Sequence, residues 1–175
     1  MRIELEKCTI RSFRADDDEA IARQANNRKI WRNLRDGFPH PYSIEDARRF
    51  LEMVAAQDPE TFFCIAVDDQ AIGSMGYSLQ ADVQRFTAEI GYWVAEEFWG
   101  RGIATQALEA LTRYAIATHK LQRVCATPYQ WSTASCRVLE KAGFLLEGRM
   151  RSSAFKDGQV IDQLLYAYTV EICQD

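Results

Sequence analysis

The sequence predicts a mixed α/β fold, and three observations carry that prediction. Strand-like and helix-like periodicities alternate along the chain without repeats or low-complexity tracts. Short polar segments, Asp68-Asp-Gln70 and Lys156-Asp-Gly-Gln159, separate strand-like runs in the manner of hairpins, which makes the sheet mostly antiparallel. The stretch EIGYWVAEEFWGRGIATQAL, residues 89–108, passes from a period of two into helical spacing across Gly100-Arg101-Gly102.

Each element has its own signal. Residues 8–13 read as a first strand, and Asp16 or Asp17 can cap a helix running to Asn26. The chain breaks at DGFPHP, residues 36–41. Ser43-Ile-Glu-Asp46 then resembles a helix start, because the Ser43 hydroxyl can accept from the free N–H groups of a first turn. Pro59 disfavours helical geometry at Asp58, so that helix should stop near Asp58-Pro59. Residues 61–67 and 71–79 form a predicted hairpin. Phe86, Ala88, Ile90, Tyr92 and Val94 alternate with Thr87, Glu89, Gly91 and Trp93 as a strand with two distinct faces. Ile103, Ala107, Leu108, Leu111, Tyr114 and Ala115 recur at helical spacing over 102–118. A short strand over 122–127, a helix over 132–142 ended by Gly143, and two final strands joined at 156–159 complete the reading.

Composition bounds the function. A chain of 175 residues, 47% hydrophobic, can bury a sizeable core and reads as one domain over 1–175. No apolar run is long enough to span a bilayer, and the N-terminus is charged where a secretory peptide would be apolar, so a cytoplasmic protein without a membrane partner is expected. The five cysteines (Cys8, Cys64, Cys125, Cys136, Cys173) contain no CxxC pair and fit reduced thiols. With only His40 and His119 and no Cys/His cluster, no metal site is expected. A formal net charge of -4 argues against nucleic acid as the main partner and suits a cationic one. Asp36, Glu89 and Asp162 are candidates for a negative acceptor site, against the alternative of a solvated surface. His40 belongs to a turn between two prolines or to a substrate wall. His119 reads as a cation near a helix end, Cys136 as a buried small residue, and the cluster Tyr92, Trp93, Phe98, Trp99 as mostly core, with one ring open to lining a cleft.

The glycine loop narrows the chemistry further. A P-loop needs two glycines four residues apart followed by Lys and Ser or Thr, and that is absent. A dinucleotide fingerprint would put a third glycine at Thr105 and an acidic residue after the next strand, where the chain has Ala126-Thr-Pro128. What remains is a strand, an arginine-containing GxGxA turn, and a helix whose free N–H groups suit a pyrophosphate.

At this point the sequence resembles the GNAT superfamily of acetyl-CoA-dependent N-acetyltransferases. The family pattern is Gln or Arg, two residues, Gly, one residue, then Gly or Ala. This chain has Trp99-Gly-Arg-Gly102-Ile-Ala104, with Trp99 departing from the first position. The form FWGRGIA is similar to the RimJ/RimL branch that acetylates ribosomal-protein N-termini. A second segment, residues 132–144, is similar to that branch's NxASxRVLEKxGF, with Ser132 in place of Asn. The flanks agree at FPHPY (38–42), at Glu45-Asp-Ala47, and at Asp157-Gly158 followed by Asp162.

The resemblance implies a sheet flanked by helices in which the strand over 86–94 splays from the strand over 122–127, and acetyl-CoA enters the cleft between them. It implies that backbone groups near Trp93 and Val94 pair with the pantetheine. N–H groups of Arg101, Gly102, Ile103, Ala104 and Thr105 would hold the pyrophosphate, and Ser132 is a further cofactor contact. Val94 N–H would stabilise the oxyanion, and Ser135 would donate to the departing thiolate, against the alternative of a capping or first-turn role. Glu89 is the candidate to receive the amine proton, against a solvated strand-face role. The implied reaction is acetyl transfer to a primary amine, in first place a peptide or protein N-terminus. The alternatives are a small-amine enzyme, acting on a polyamine or an aminoglycoside, and a non-catalytic acyl-CoA sensor. A homodimer is compatible with the resemblance.

Overall fold

The periodicities predict the order of elements, and the structure adds two short ones. In the computed structural model, which describes residues 1–170, β1 (Arg2–Glu4) and β2 (Thr9–Arg11) lead into α1 (Asp18–Ala25), α2 (Arg28–Trp31) and α3 (Ile44–Ala55). Then come β3 (Phe62–Val67), β4 (Gln70–Leu79), β5 (Thr87–Val94), α4 (Ile103–His119), β6 (Arg123–Ala126), α5 (Thr133–Lys141), β7 (Leu145–Lys156) and β8 (Gln159–Thr169). One sheet runs β1-β2-β3-β4-β5-β6-β8-β7. Among the described residues only β5 and β6 pair in parallel. Of the five cysteines, Cys173 lies outside the described residues, and the other four are free thiols. No helix among the described residues is long and apolar enough to cross a membrane.

Both hairpin turns have positive φ at their two central residues: Asp68 (49°) and Asp69 (64°), then Asp157 (51°) and Gly158 (77°). This mirror-image turn matches the right-handed twist of strands, and Asp and Gly tolerate it best. α1 and α3 cover one face of the sheet, with Ile21, Ala25 and Ala47 packed against Cys64 and Ala66. α4 and α5 cover the other, where Leu108, Leu111 and Leu139 meet Ile65, Met75 and Ile90. β3 is accordingly buried on both sides from Phe63 to Ala66, which explains its unbroken apolar run. Each such fully buried Leu or Ile contributes about 1.5–3 kcal/mol.

The parallel pair shapes the cleft. β5 and β6 are in register only from Thr87↔Arg123 to Glu89↔Cys125, whereas β5 stays paired with β4 as far as Gly73↔Val94. β6 ends at Ala126, just before Thr127 and Pro128, and a proline has no N–H to continue a ladder. Residues 90–94 of β5 therefore face a gap, the splay expected above.

Several expectations are corrected. The first strand is shorter than 8–13 and acquires a partner, β1, whose three residues are too few to show a period. Neither Asp16 nor Asp17 caps α1: the Asp17 carboxylate takes both Arg11 Nη atoms at 2.7 Å in a buried bidentate pair and accepts from Arg14 N–H. α2 is a single turn capped by the Asn27 side chain, below the length at which helical spacing can be recognised. Phe86 lies outside β5 and is half exposed.

The Ser43 reading holds in full. Its Oγ accepts from Asp46 N–H at 3.2 Å, and the Asp46 carboxylate returns to Ser43 N–H at 2.8 Å. Ser43→Ala should lower stability by about 1 kcal/mol. A urea titration giving the wild-type midpoint would remove the cap from the list of stabilising contacts.

Candidate active site

Two features meet at the C-terminal end of β5. The first is the loop into α4. Gly100 and Gly102 have φ of 75° and 78°, values that favour glycine. The first intrahelical bond runs from Gln106 N–H to Gly102 O, so the N–H groups of Ile103, Ala104 and Thr105 have no helical partner. Gly102 and Arg101 are exposed, while the Ile103 side chain anchors the turn in the core. The Arg101 guanidinium lies over the Phe98 ring. Lys7, from the β1–β2 turn, brings its Nζ to 3.0 Å from where a Cβ on Gly102 would stand, and its backbone N–H bonds Gln106 Oε1. The loop thus combines exposed helical N–H groups with two cations, a seat for a dianion.

Trp99, in the position where the family has Gln or Arg, donates its indole N–H to Val94 O at 2.7 Å. This fastens the loop to the end of β5. Hydrogen bonding alternates along an antiparallel pair, and Ala95 N–H bonds Ile72 O. Gly91 and Trp93 therefore direct their backbone groups toward β4, whereas Ile90, Tyr92 and Val94 direct theirs into the gap. The Trp93 carbonyl would indeed lie 2.3 Å from a Cβ on Gly73 of β4. Of the two strand residues named from the sequence, Trp93 is thus turned to the sheet and Val94 to the cleft. The Val94 N–H is the group left to donate there.

The second feature is a cavity of about 740 Å³ beside the splay, walled by Glu89, Gly91, Trp93, Tyr92 and Ser135 with α3 and the 33–39 loop opposite. Ser135, in the first turn of α5, caps nothing. Its Oγ meets the Tyr92 hydroxyl at 3.0 Å, and Tyr92 OH reaches Ser135 O at 3.4 Å. Burial pushes the Tyr92 phenol up to about 12, partly offset by the Ser135 bond. Ser132 is the residue before α5, and its side chain makes no cap bond. Cys136 is buried in the core, and burial pushes its thiol up.

Glu89 lies across the cavity, and its Oε1 accepts from Arg35 Nη2 at 2.6 Å and from Thr127 Oγ1 at 2.8 Å. Of the three carboxylates named for a negative acceptor site, Asp36, Glu89 and Asp162, only Glu89 lines the cavity, and all three are ion-paired. Asp36 holds the buried Lys156 Nζ at 2.7 Å, and Lys156 also sits over Trp31. Asp162 accepts from Ser152 N–H and Arg149 Nε, which hold its carboxyl below the usual range. His40 stacks on Trp31, and His119 Nε2 meets the buried Tyr77 hydroxyl at 2.9 Å, a specific partner beyond a helix-end charge. Lys7 and Arg35 take site positions that the sequence reading did not assign, and Tyr92 and Trp93 are the rings of the aromatic cluster that line the cavity. For Arg35 and Lys7 no local signal exists, since their partners lie 54 and 99 residues away.

A strand splayed from its parallel neighbour, with a glycine loop and helix N-terminus at its end, is the frame that the GNAT resemblance implies for acetyl-CoA. The sequence signature described as the acetyltransferase (GNAT) domain matches residues 7–145, and the chain belongs to that family of N-acetyltransferases. The ribosomal-protein-serine acetyltransferase of Escherichia coli (strain K12) is 30% identical over 132 residues, 74% of this chain and 73% of that protein. Mycobacterium smegmatis RimJ in complex with CoA-disulfide superimposes with a TM-score of 0.84 at 27% identity, covering 95% of this chain and 84% of that one. RimL, a ribosomal L7/L12 alpha-N-protein acetyltransferase in complex with coenzyme A, shares the fold with a TM-score of 0.85 at 22% identity, covering 97% and 98%.

Proposed function

We propose that this acyltransferase moves the acetyl group of acetyl-CoA to the α-amine of a peptide or protein N-terminus. The observation that carries the acceptor class is the charge balance of the cavity. Its two carboxylates, Glu89 and Asp46, are each already paired with an arginine, Arg35 and Arg49. A polyamine or an aminoglycoside carries several positive charges and needs unpaired carboxylates, whereas an N-terminus brings one amine and an uncharged backbone. The kinship with ribosomal-protein acetyltransferases supports the same choice.

Acetyl-CoA, when bound, supplies an activated thioester. The α4 N–H groups of Ile103, Ala104 and Thr105, with Arg101 and Lys7, would hold its diphosphate, and Ser132 is retained as a further contact. Val94 N–H donates into the gap, where negative charge grows on the carbonyl oxygen. An α-amine titrates at about 7.7–8.0, against about 10.4 for lysine, so a large neutral fraction needs no strong base. Glu89, anchored through one oxygen, accepts the proton released on attack, directly or through one water. The Tyr92–Ser135 pair donates toward the departing sulfur.

A thiol-release assay with acetyl-CoA tests the reading. Peptides with free N-termini should release coenzyme A, whereas the same peptides N-blocked, polyamines and aminoglycosides should not. Release with polyamines or aminoglycosides alone would move the protein to the small-amine class. Acetyl-CoA binding without release from any amine would make it a sensor.

A further inference from the structure

Gly91 has no structural reason to be glycine. It sits in the middle of β5, a central strand, with an ordinary extended φ, and a Cβ built on it meets no atom within 4 Å. Its cross-strand partner Gly76 differs, since a Cβ there would stand 2.7 Å from the Phe62 ring. Glycine within a strand costs backbone entropy and forfeits packing, and it commonly marks close approach of a ligand or another backbone. Among the described residues, none occupies the space above Gly91. That space is the floor of the cavity described above, and Gly91 is exposed to it.

The surroundings define what fits. Along β5, side chains two residues apart share a face and stand about 7 Å apart. Glu89 therefore flanks the floor on one side and Trp93 on the other. Trp93 packs edge-on to Phe38, with ring centroids 5.9 Å apart, and Phe62 packs likewise on Phe50 at 6.3 Å. The gap toward Tyr92 and Ser135 opens beside the same floor. An amine placed between Glu89 and that gap puts its own α-carbon, one bond away, over Gly91. The side chain on that carbon then extends toward the aromatic walls.

Resting on the acetyltransferase reading, we infer that Gly91 is a specificity-determining residue: it forms the seat for the first residue of the acceptor, and the aromatic walls select an uncharged side chain there. A side chain at position 91 would take the volume that the acceptor residue needs. One methylene in such a pocket changes selectivity by about 10–200-fold.

The test compares wild type, Gly91→Ala and Gly91→Val on peptides beginning with Gly, Ala, Leu or Asp. Neither substitution should lower the melting temperature, because a Cβ at Gly91 meets no atom within 4 Å and valine suits a strand. Acetyl-CoA affinity by calorimetry should stay unchanged. Wild type should prefer Ala and Leu over Asp. Gly91→Ala should lose the Leu peptide first, by about tenfold or more in kcat/KM, and Gly91→Val should keep at most the Gly peptide. A folded Gly91→Val protein with the wild-type acceptor profile would overturn the inference, as would a wild type that prefers Asp. Should the wild type acetylate no peptide, the peptide-acceptor reading fails on its own. Binding then decides the seat, through ¹⁵N-glycine spectra in which the Gly91 amide is assigned by its loss in Gly91→Ala. A saturable Gly91 shift on adding the Ala peptide with coenzyme A supports the seat, and an unmoved resonance overturns it.

Discussion

Gly102→Glu is expected to lower acetyl-CoA affinity by about a hundredfold or more, a loss of roughly 3 kcal/mol, while the protein stays folded. Gly102 stands at φ 78° and ψ 2°, and a Cβ in that left-handed region costs about 1–2 kcal/mol. The new carboxylate would recover part of this cost. It would lie at the N-terminus of α4, where the helix dipole favours negative charge, and close to Lys7 Nζ, 3.0 Å from the position of its Cβ. The same placement is what removes the cofactor, because the mutant side chain would occupy the N–H groups and the lysine that the diphosphate requires. Calorimetry and a thermal melt on one preparation separate the two effects. Wild-type affinity in the folded variant would reject the assignment of this loop to the pyrophosphate.

How much of this was legible in the sequence depended on the range of the interaction. The Asp68-Asp69 and Asp157-Gly158 turns, the Ser43–Asp46 cap and the α4 stripe are fixed by residues within one turn or one hairpin of each other, and the structure matches the reading of each. The splay could be placed through the family resemblance, and its local cause is also readable: β6 ends beside Pro128. What the sequence could not show is which groups a charged side chain finds across the fold. The carboxylates of Asp36, Glu89 and Asp162 look alike in one dimension, yet Asp36 answers to Lys156 at a separation of 120 residues and Glu89 to Arg35 at 54. The direction of the backbone at Trp93 and Val94 was likewise hidden, because a period of two assigns faces only after the pairing with β4 is known. Lys7 is the clearest case: a charge in a turn with no motif around it is brought beside Gly102 only when β1 and β2 complete the edge of the sheet.

Ser135→Ala is expected to reduce turnover by about tenfold to a hundredfold with little change in acetyl-CoA affinity. A thiol of pKa about 8.5 is a tolerable leaving group, so a donor aimed at sulfur contributes at or below the low end of the usual general-acid range. The geometry makes Ser135 half of a pair, since its hydroxyl and that of Tyr92 stand 3.0 Å apart. The Tyr92 phenol, pushed up to about 12 by burial, stays protonated across the neutral range and can keep donating to Ser135 Oγ. That leaves the serine proton free for the departing thiolate. Two groups that act as one unit are not additive, so Tyr92→Phe with Ser135→Ala should be no slower than Ser135→Ala alone by more than about twofold. Additive losses, the product of two independent effects, would mean that the tyrosine acts separately. The serine change also removes a hydrogen bond at a half-buried site and should cost about 1 kcal/mol of stability. Rates are therefore compared well below the melting temperature of the weakest variant. A capping role for Ser135 has no geometric support, because its Oγ bonds a side chain and the residue before α5 is Ser132. Wild-type turnover in Ser135→Ala, with only the melting temperature lowered, would leave the hydroxyl a purely structural partner of Tyr92 and move the search for the proton donor elsewhere in the cleft.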